Sequence, residues 1–324
     1  MKSKLLLLTL TVGAIAAVSL SANAQLIAYE GFGYAPGINV IPAEGTGGSG
    51  WAAPWNSKSE SATSSLSEVS ASSLSYGAYA TVGGSLISGT TNSTTAQPER
   101  AVALTPSNFG TLAAANPNTA GELWVSYLWK GLNTTGSGSG LYRQSIMMFI
   151  TGATTATGSG SERLDIGMPN ISAANQGTVN PNISLWAAGG ITGGNGTLTS
   201  TTPLQSSVAA NDGSTTFVLV KFTLDALTTT PDAVSIWLNP ALTLSTPIGT
   251  PDLTWTTQDM SGINGLRIQS GNLNATFGNT GGQQQVDEIK IGYSVLSVET
   301  VPEPTSLALL GLGSLAFIQR LRRK

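Results

Sequence analysis

The chain has 324 residues, 14 of them basic and 17 acidic, with no cysteine and no histidine. Disulfides, thiol catalysis, histidine-based triads and histidine-ligated zinc are therefore excluded. Between residues 25 and 300 eight basic residues face sixteen acidic ones, a net charge near −8, which argues against nucleic acid or anionic lipid as a partner.

The chain opens MKSKLLLLTLTVGAIAAVSLSANAQ. Lys2 and Lys4 give a positive start, and Leu5 to Leu20 is almost wholly apolar. Ala22 and Ala24 place small side chains where a signal peptidase inspects them, just before Gln25. Residues 1–24 therefore read as a secretory signal peptide. The apolar stretch is short for a bilayer span of about 20 residues.

Residues 25–296 read as one domain. Helix-period patterns are nearly absent, and short β-branched and aromatic runs recur between Gly/Ser/Thr/Asn/Pro clusters. The expected strands are 26–32, 75–82, 99–104, 121–130, 142–150, 162–168, 182–188, 215–225, 232–240, 263–270 and 285–296. A period of two puts Val218, Val220, Phe222 and Leu224 on one face, and likewise Val234, Ile236 and Leu238, and Ile289, Ile291 and Tyr293. The polar stretches 56–65, 133–140, 151–161 and 189–206 read as surface loops. So many strands punctuated by turns predict an all-β fold, a large antiparallel β-sandwich.

Residues 297–304 read as a stalk ending in Val301-Pro302-Glu303-Pro304. Two prolines there leave extended, unpaired backbone that a protease can grip. Residues 305–319 read as an apolar transmembrane segment, and counted from Val301 to Gln319 the stretch is barely long enough to cross a bilayer of about 30 Å as a helix. Arg320, Arg322, Arg323 and Lys324 close the chain at 320–324, a basic cluster that stays cytoplasmic by the positive-inside rule. The Pro-Glu-Pro, the apolar segment and the basic terminus together closely resemble the PEP-CTERM sorting signal. That resemblance implies an exported protein of a Gram-negative bacterium. It would be held transiently in the inner membrane, cut near Pro302–Pro304 by an exosortase, and delivered to the cell envelope or extracellular matrix. Signal peptidase and exosortase are then its processing partners.

A second resemblance covers most of residues 26–293. AYEGFGYAPG followed by GGSGWAAPW, then VLVKFTLD, AVSIWLNP and VDEIKIG, is similar to concanavalin A-like, laminin-G-like jelly rolls. Gly33-Tyr34 stands where an Asp-Tyr pair is more usual. The resemblance implies a jelly-roll fold and leaves function open, because that group includes lectins, enzymes and structural modules.

Any enzyme built from this sequence would rely on carboxylates. Jelly-roll glycosidases space paired acids E-x-D-x-x-E or E-x-D-x-E, close enough for a retaining mechanism at about 5–5.5 Å. Neither pattern occurs. Glu162 and Asp165, three apart, are expected on opposite faces, and the neighbours Asp287 and Glu288 are expected to diverge. A non-catalytic structural or adhesive sandwich is the favoured reading. The alternatives are a lectin-like module for extracellular polysaccharide and a carboxylate-based polysaccharide enzyme. Candidate glycan contacts are Trp237 with Asn239, and Trp51 and Trp55 in a Gly-rich loop. Trp237 lies opposite Val234, Ile236 and Leu238, so it is either an exposed platform or buried under a loop such as 189–206. An uncovered indole on a monomer favours association, so burial is the expected outcome. No cofactor is expected. Asn211-Asp212-Gly213 offers oxygen ligands to a structural calcium, and turn chemistry explains it equally well.

Overall fold

The structure, a computed structural model, describes residues 26–40, 47–57, 67–79, 81–89, 98–102, 121–132, 145–151, 161–168, 182–187, 204–209, 213–224, 232–242, 248–258, 263–270 and 283–299. The expected signal peptide at 1–24, the Pro-Glu-Pro motif, the apolar segment, the basic cluster and Asn211-Asp212 lie outside them.

In chain order the strands are β1 (Leu26–Glu30), β2 (Asn56–Ser57), β3 (Ser67–Ser70), β4 (Ser85–Ser88), β5 (Pro98–Ala101), β6 (Glu122–Gly131), β7 (Ser145–Thr151) and β8 (Ser161–Met168). There follow β9 (Asn182–Ala187), β10 (Leu204–Ala209), β11 (Thr216–Thr223), β12 (Asp232–Leu238), β13 (Leu253–Gln258), β14 (Ile263–Ser270) and β15 (Gln284–Gly292). One short helix, α1 (Val295–Glu299), closes the described chain. The strands form two antiparallel sheets, which confirms the β-sandwich. The first runs β13-β12-β11-β6-β15-β4-β3, with β1 also on β15, and the second runs β10-β9-β8-β7-β14-β5-β2.

Alternation explains the packing. Leu123, Val125, Tyr127 and Trp129 of β6 point into the sandwich with Val218, Val220 and Phe222 of β11, and Val234, Ile236 and Leu238 of β12. Met147, Phe149, Leu164, Ile166, Leu266 and Ile268 meet them from the second sheet. Phe149 and Phe222 touch edge to face across the gap, ring centres 4.9 Å apart.

β15 is the last strand in sequence and central in space. Its first half pairs with β4 through Gln284–Val286, and its second half pairs with β1 through Ile289–Gly292. β6 runs along its other side.

Several expectations are corrected. Residues 76–79 form a turn with a Tyr76–Tyr79 bridge, and the described residues of 75–82 form no strand. β3, β4 and β13 arise where no strand was expected, β2 lies within the 56–65 stretch read as a loop, and β10 begins inside the 189–206 stretch. β15 ends at Gly292, and Val295–Glu299 coil into α1, so Ser297, Val298 and Glu299 belong to a packed helix and not to a stalk.

Candidate functional site

The outer face of the first sheet carries Trp237, and that face is covered. Trp124 and Leu128 of β6, Phe217 and Leu219 of β11 and Trp237 of β12 form a second core with Leu74, Tyr79, Val295 and Val298. Tyr76, Leu242 and Ile248 pack at its margin. Trp237 is 8% exposed, stacks on Trp124 at 5.7 Å, and its indole N–H donates to the Gly249 carbonyl at 3.0 Å. Burial leaves no ring face for a ligand. The cover comes from 74–79, from the segments around Leu242 and Ile248, and from α1. Asn239 is exposed and left-handed (φ 54°). Its side-chain oxygen accepts from the Phe217 N–H at 2.9 Å, while its own N–H donates to the Phe217 carbonyl at 2.8 Å. It ends β12 as a turn residue.

Trp51 and Trp55 surround a buried ion pair. The Glu30 carboxylate accepts from the Phe32 N–H (2.8 Å), the Tyr34 hydroxyl (2.8 Å), the Trp55 indole (3.1 Å) and the Arg100 guanidinium. Arg100 also donates to the carbonyls of Ala53 (2.9 Å) and Gly47 (2.8 Å). Its guanidinium lies 4.9 Å from the Trp51 ring centre and 5.7 Å from that of Trp55. Trp55 is fully buried. Trp51 is half-buried and donates to the Tyr29 carbonyl at 2.9 Å. The loop can lie this close to β1 because of glycine: at Gly50 (φ 76°) a Cβ would sit 1.8 Å from the Ile27 carbonyl oxygen. The AYEGFGY and GGSGW segments thus tie the two ends of the N-terminal loop to β5.

The acids of β15 do not diverge as strict alternation predicts. The register slips between Asp287 and Lys290, and Glu288 takes φ 52°. This bulge turns both carboxylates under the 74–82 segment. Asp287 accepts from the Leu74 N–H at 2.9 Å; Glu288 accepts from the Val82 N–H at 2.7 Å and from the Tyr29 hydroxyl at 3.0 Å. Lys290 lies 3.5 Å from Glu288 and donates to the Tyr79 hydroxyl at 2.7 Å. All three charged side chains are buried. Burial pushes the Asp287 carboxyl up to about 8, and burial lowers the Lys290 ammonium to about 8 against the pull of Glu288. Glu162 and Asp165 meet a similar irregularity. β7 residues Phe149 and Ile150 pair with Leu164 and Glu162, skipping Arg163, so the alternation expected between the two acids is broken.

The second sheet holds a row that pattern reading missed. Register aligns Trp186, Asp165, Met148, Arg267, Glu99 and Asn56 across five neighbouring strand pairs. Leu164, Ile166, Leu266 and Ile268 fill the sandwich core, which leaves Asp165 and Arg267 on the outer face. Arg267 donates from Nε to Glu99 Oε2 at 2.9 Å and from Nη2 to the same oxygen. Glu99 Oε1 keeps no hydrogen-bond partner among the described residues. The signal was present in RLDI and LRIQ, where a charge sits between two core aliphatics. Asp165, Arg267 and Glu99 are all buried, so the row, like Trp237, holds structure and presents no open face to a ligand.

No group of three or more acids among the described residues is placed to hold a metal. No described helix is long and apolar enough to cross a membrane.

Residues 300–324 match the PEP-CTERM protein-sorting motif.

The PEP-CTERM motif thus begins one residue after α1 and marks the protein as exported and directed to the envelope. No curated protein matches the chain. Among solved structures it is similar to an endo-beta-1,4-glucuronan lyase from the fungus Trichoderma reesei, at 12% identity over 72% of this chain and 88% of that one, TM-score 0.37. It is also similar to the alginate lyase Aly36B, at 14% identity over 70% and 83%, TM-score 0.39. A third is the exoplasmic/lumenal domain of VIP36 in its Ca2+/Man3GlcNAc-bound form, at 14% identity over 68% and 83%, TM-score 0.39.

Proposed function

We propose that this protein is an exported, exosortase-processed component of the cell envelope or extracellular polysaccharide matrix, where its sandwich has a non-catalytic structural or adhesive role. The observation that carries this reading is the PEP-CTERM motif at 300–324, set directly behind a folded β-sandwich. The use of the carboxylates supports it. Glu30 is occupied by four donors, Glu99 is held by Arg267, and Asp287 and Glu288 pin a covering segment. Acids so engaged hold structure together. The organisation that goes with this reading is a signal peptide at 1–24, an apolar anchor at 305–319 and a basic stop at 320–324.

Mass spectrometry of the native protein tests it. The mature product should begin at Gln25 and lack everything beyond about Pro304. A product that retains Arg322 and Lys324 would reduce the tail to a plain anchor.

A second reading is a glycan-binding module, favoured by the sorting motif and the polysaccharide matrix to which it is proposed to direct the chain. A glycan array with the wild type decides it: binding to a polysaccharide supports this reading, and no binding to any polysaccharide removes it. Turnover of a polysaccharide panel, abolished by a carboxylate-to-amide change that leaves the melting temperature unchanged, would instead establish an enzyme.

A further inference from the structure

α1 is the last described element before the sorting motif, and it has five residues. A helix that short has no stability of its own. It exists because it is held. Val295 and Val298 are buried in the second core. The Val298 carbonyl accepts from the Ser126 hydroxyl at 2.7 Å and from the Tyr79 hydroxyl at 3.1 Å. Tyr79 is itself fixed by Lys290. At the other end Ser294 and Ser297 cap each other, backbone N–H to side-chain oxygen both ways, at 3.3 Å.

This docking shortens the tether to the Pro-Glu-Pro. With α1 in place, Pro302 is three residues beyond Glu299, a reach of at most about 10 Å. With α1 released, the tether starts at Gly292, ten residues back, and spans up to about 35 Å. Glu299 is 7% exposed in the docked form. An enzyme groove that binds extended substrate takes several residues on each side of the cut. A groove that accepts only the three residues before Pro302 already needs Glu299, which the fold withholds.

We propose that α1 is a latch: docked on β6 and β15 it withholds the Pro-Glu-Pro segment from the processing enzyme, and cleavage takes place on the undocked form. The proposal rests on the reading of the tail as an exosortase substrate. Undocking requires only local opening, and the sandwich core is untouched by it.

Two changes test the latch from opposite sides. Tyr79→Phe with Ser126→Ala removes both hydrogen bonds to the Val298 carbonyl. Insertion of about six Gly/Ser residues after Thr300 adds ~20 Å of reach and leaves the latch intact. In the native host both should lose the tail faster than the wild type. Membrane vesicles bearing the full chain are also treated with a Glu-specific endoprotease, and the peptide that starts at Thr300 is followed by mass spectrometry. The double substitution should release it about tenfold faster than the wild type, and the insertion should not. Equal release from the double variant and the wild type would overturn the latch, whatever the host shows. A wild type never processed in the host would sink the exosortase reading and leave the endoprotease result to judge the latch. If the double variant misfolds, Ser126→Ala alone serves, with the same expected direction and the same overturning result.

Discussion

Two side chains decide most at the scale of single residues. Trp237 was expected on the face opposite Val234, Ile236 and Leu238, and it stacks there on Trp124 beneath covering segments. Trp237→Ala should cost about 3–5 kcal/mol, since a buried indole leaves a cavity that neighbours fill only in part. A melting temperature equal to the wild type's would show that the face is open. Arg100 is the second. It is the only cation that contacts Glu30 among the described residues, and both side chains are almost fully buried. Arg100→Ala leaves a carboxylate buried beside apolar rings, at a cost of about 3–5 kcal/mol. Chemical denaturation of this variant against Arg100→Ala/Glu30→Gln checks the cause. The double variant should recover part of the loss, because the stranded charge is gone.

Among elements, α1 carries a pH dependence. Burial pushes the Glu299 carboxyl from its usual 4.5 up to about 7, and neither oxygen has a hydrogen-bond partner among the described residues. The folded state therefore keeps a proton that the unfolded chain gives up above 4.5. Its stabilisation is complete below 4.5 and is lost as pH rises through 7. Asp287 acts in the same direction up to about 8, whereas Lys290 binds fewer protons when folded and adds stability only as pH rises above 8. The melting temperature should fall between pH 5 and pH 8, and Glu299→Gln should flatten the fall; an unchanged slope would remove Glu299 from the account. α1 also shows where the sequence stops being legible. Strands with large aliphatic alternation, such as FVLVKFT and AVSIWL, read correctly because hydrophobic burial sets their register. SEVS, SLIS and LQSSVA did not, because their serines take strand form only through the neighbours they pair with. The bulge at Glu288 is likewise invisible to a period-two reading, which assumes one residue per step. The aligned Asp165, Arg267 and Glu99 come from three strands distant in sequence, so only the register brings them together.

For the whole molecule, β15 sets the terms. It joins β6 to both β4 and β1, so without it the first sheet falls into three pieces: β13-β12-β11-β6, β4-β3 and β1. A chain that stops after Gln283 should show no cooperative melting by circular dichroism. One that stops at Glu299 should melt cooperatively, with a β-type spectrum and no response to reductant, because no cysteine is present. Loss of cooperativity in the longer chain would place part of the stability in the tail. The position of β15 also orders events in time. A polypeptide threaded across a membrane from its N-terminus delivers β1 first and β15 last. The partner that β1 awaits therefore arrives some 260 residues later. Until then the emerging chain offers open strand edges to whatever chaperones the far compartment supplies. The strand that ends this exposure emerges just ahead of the sorting motif, so completion of the sheet and emergence of the sorting motif fall at nearly the same moment of export.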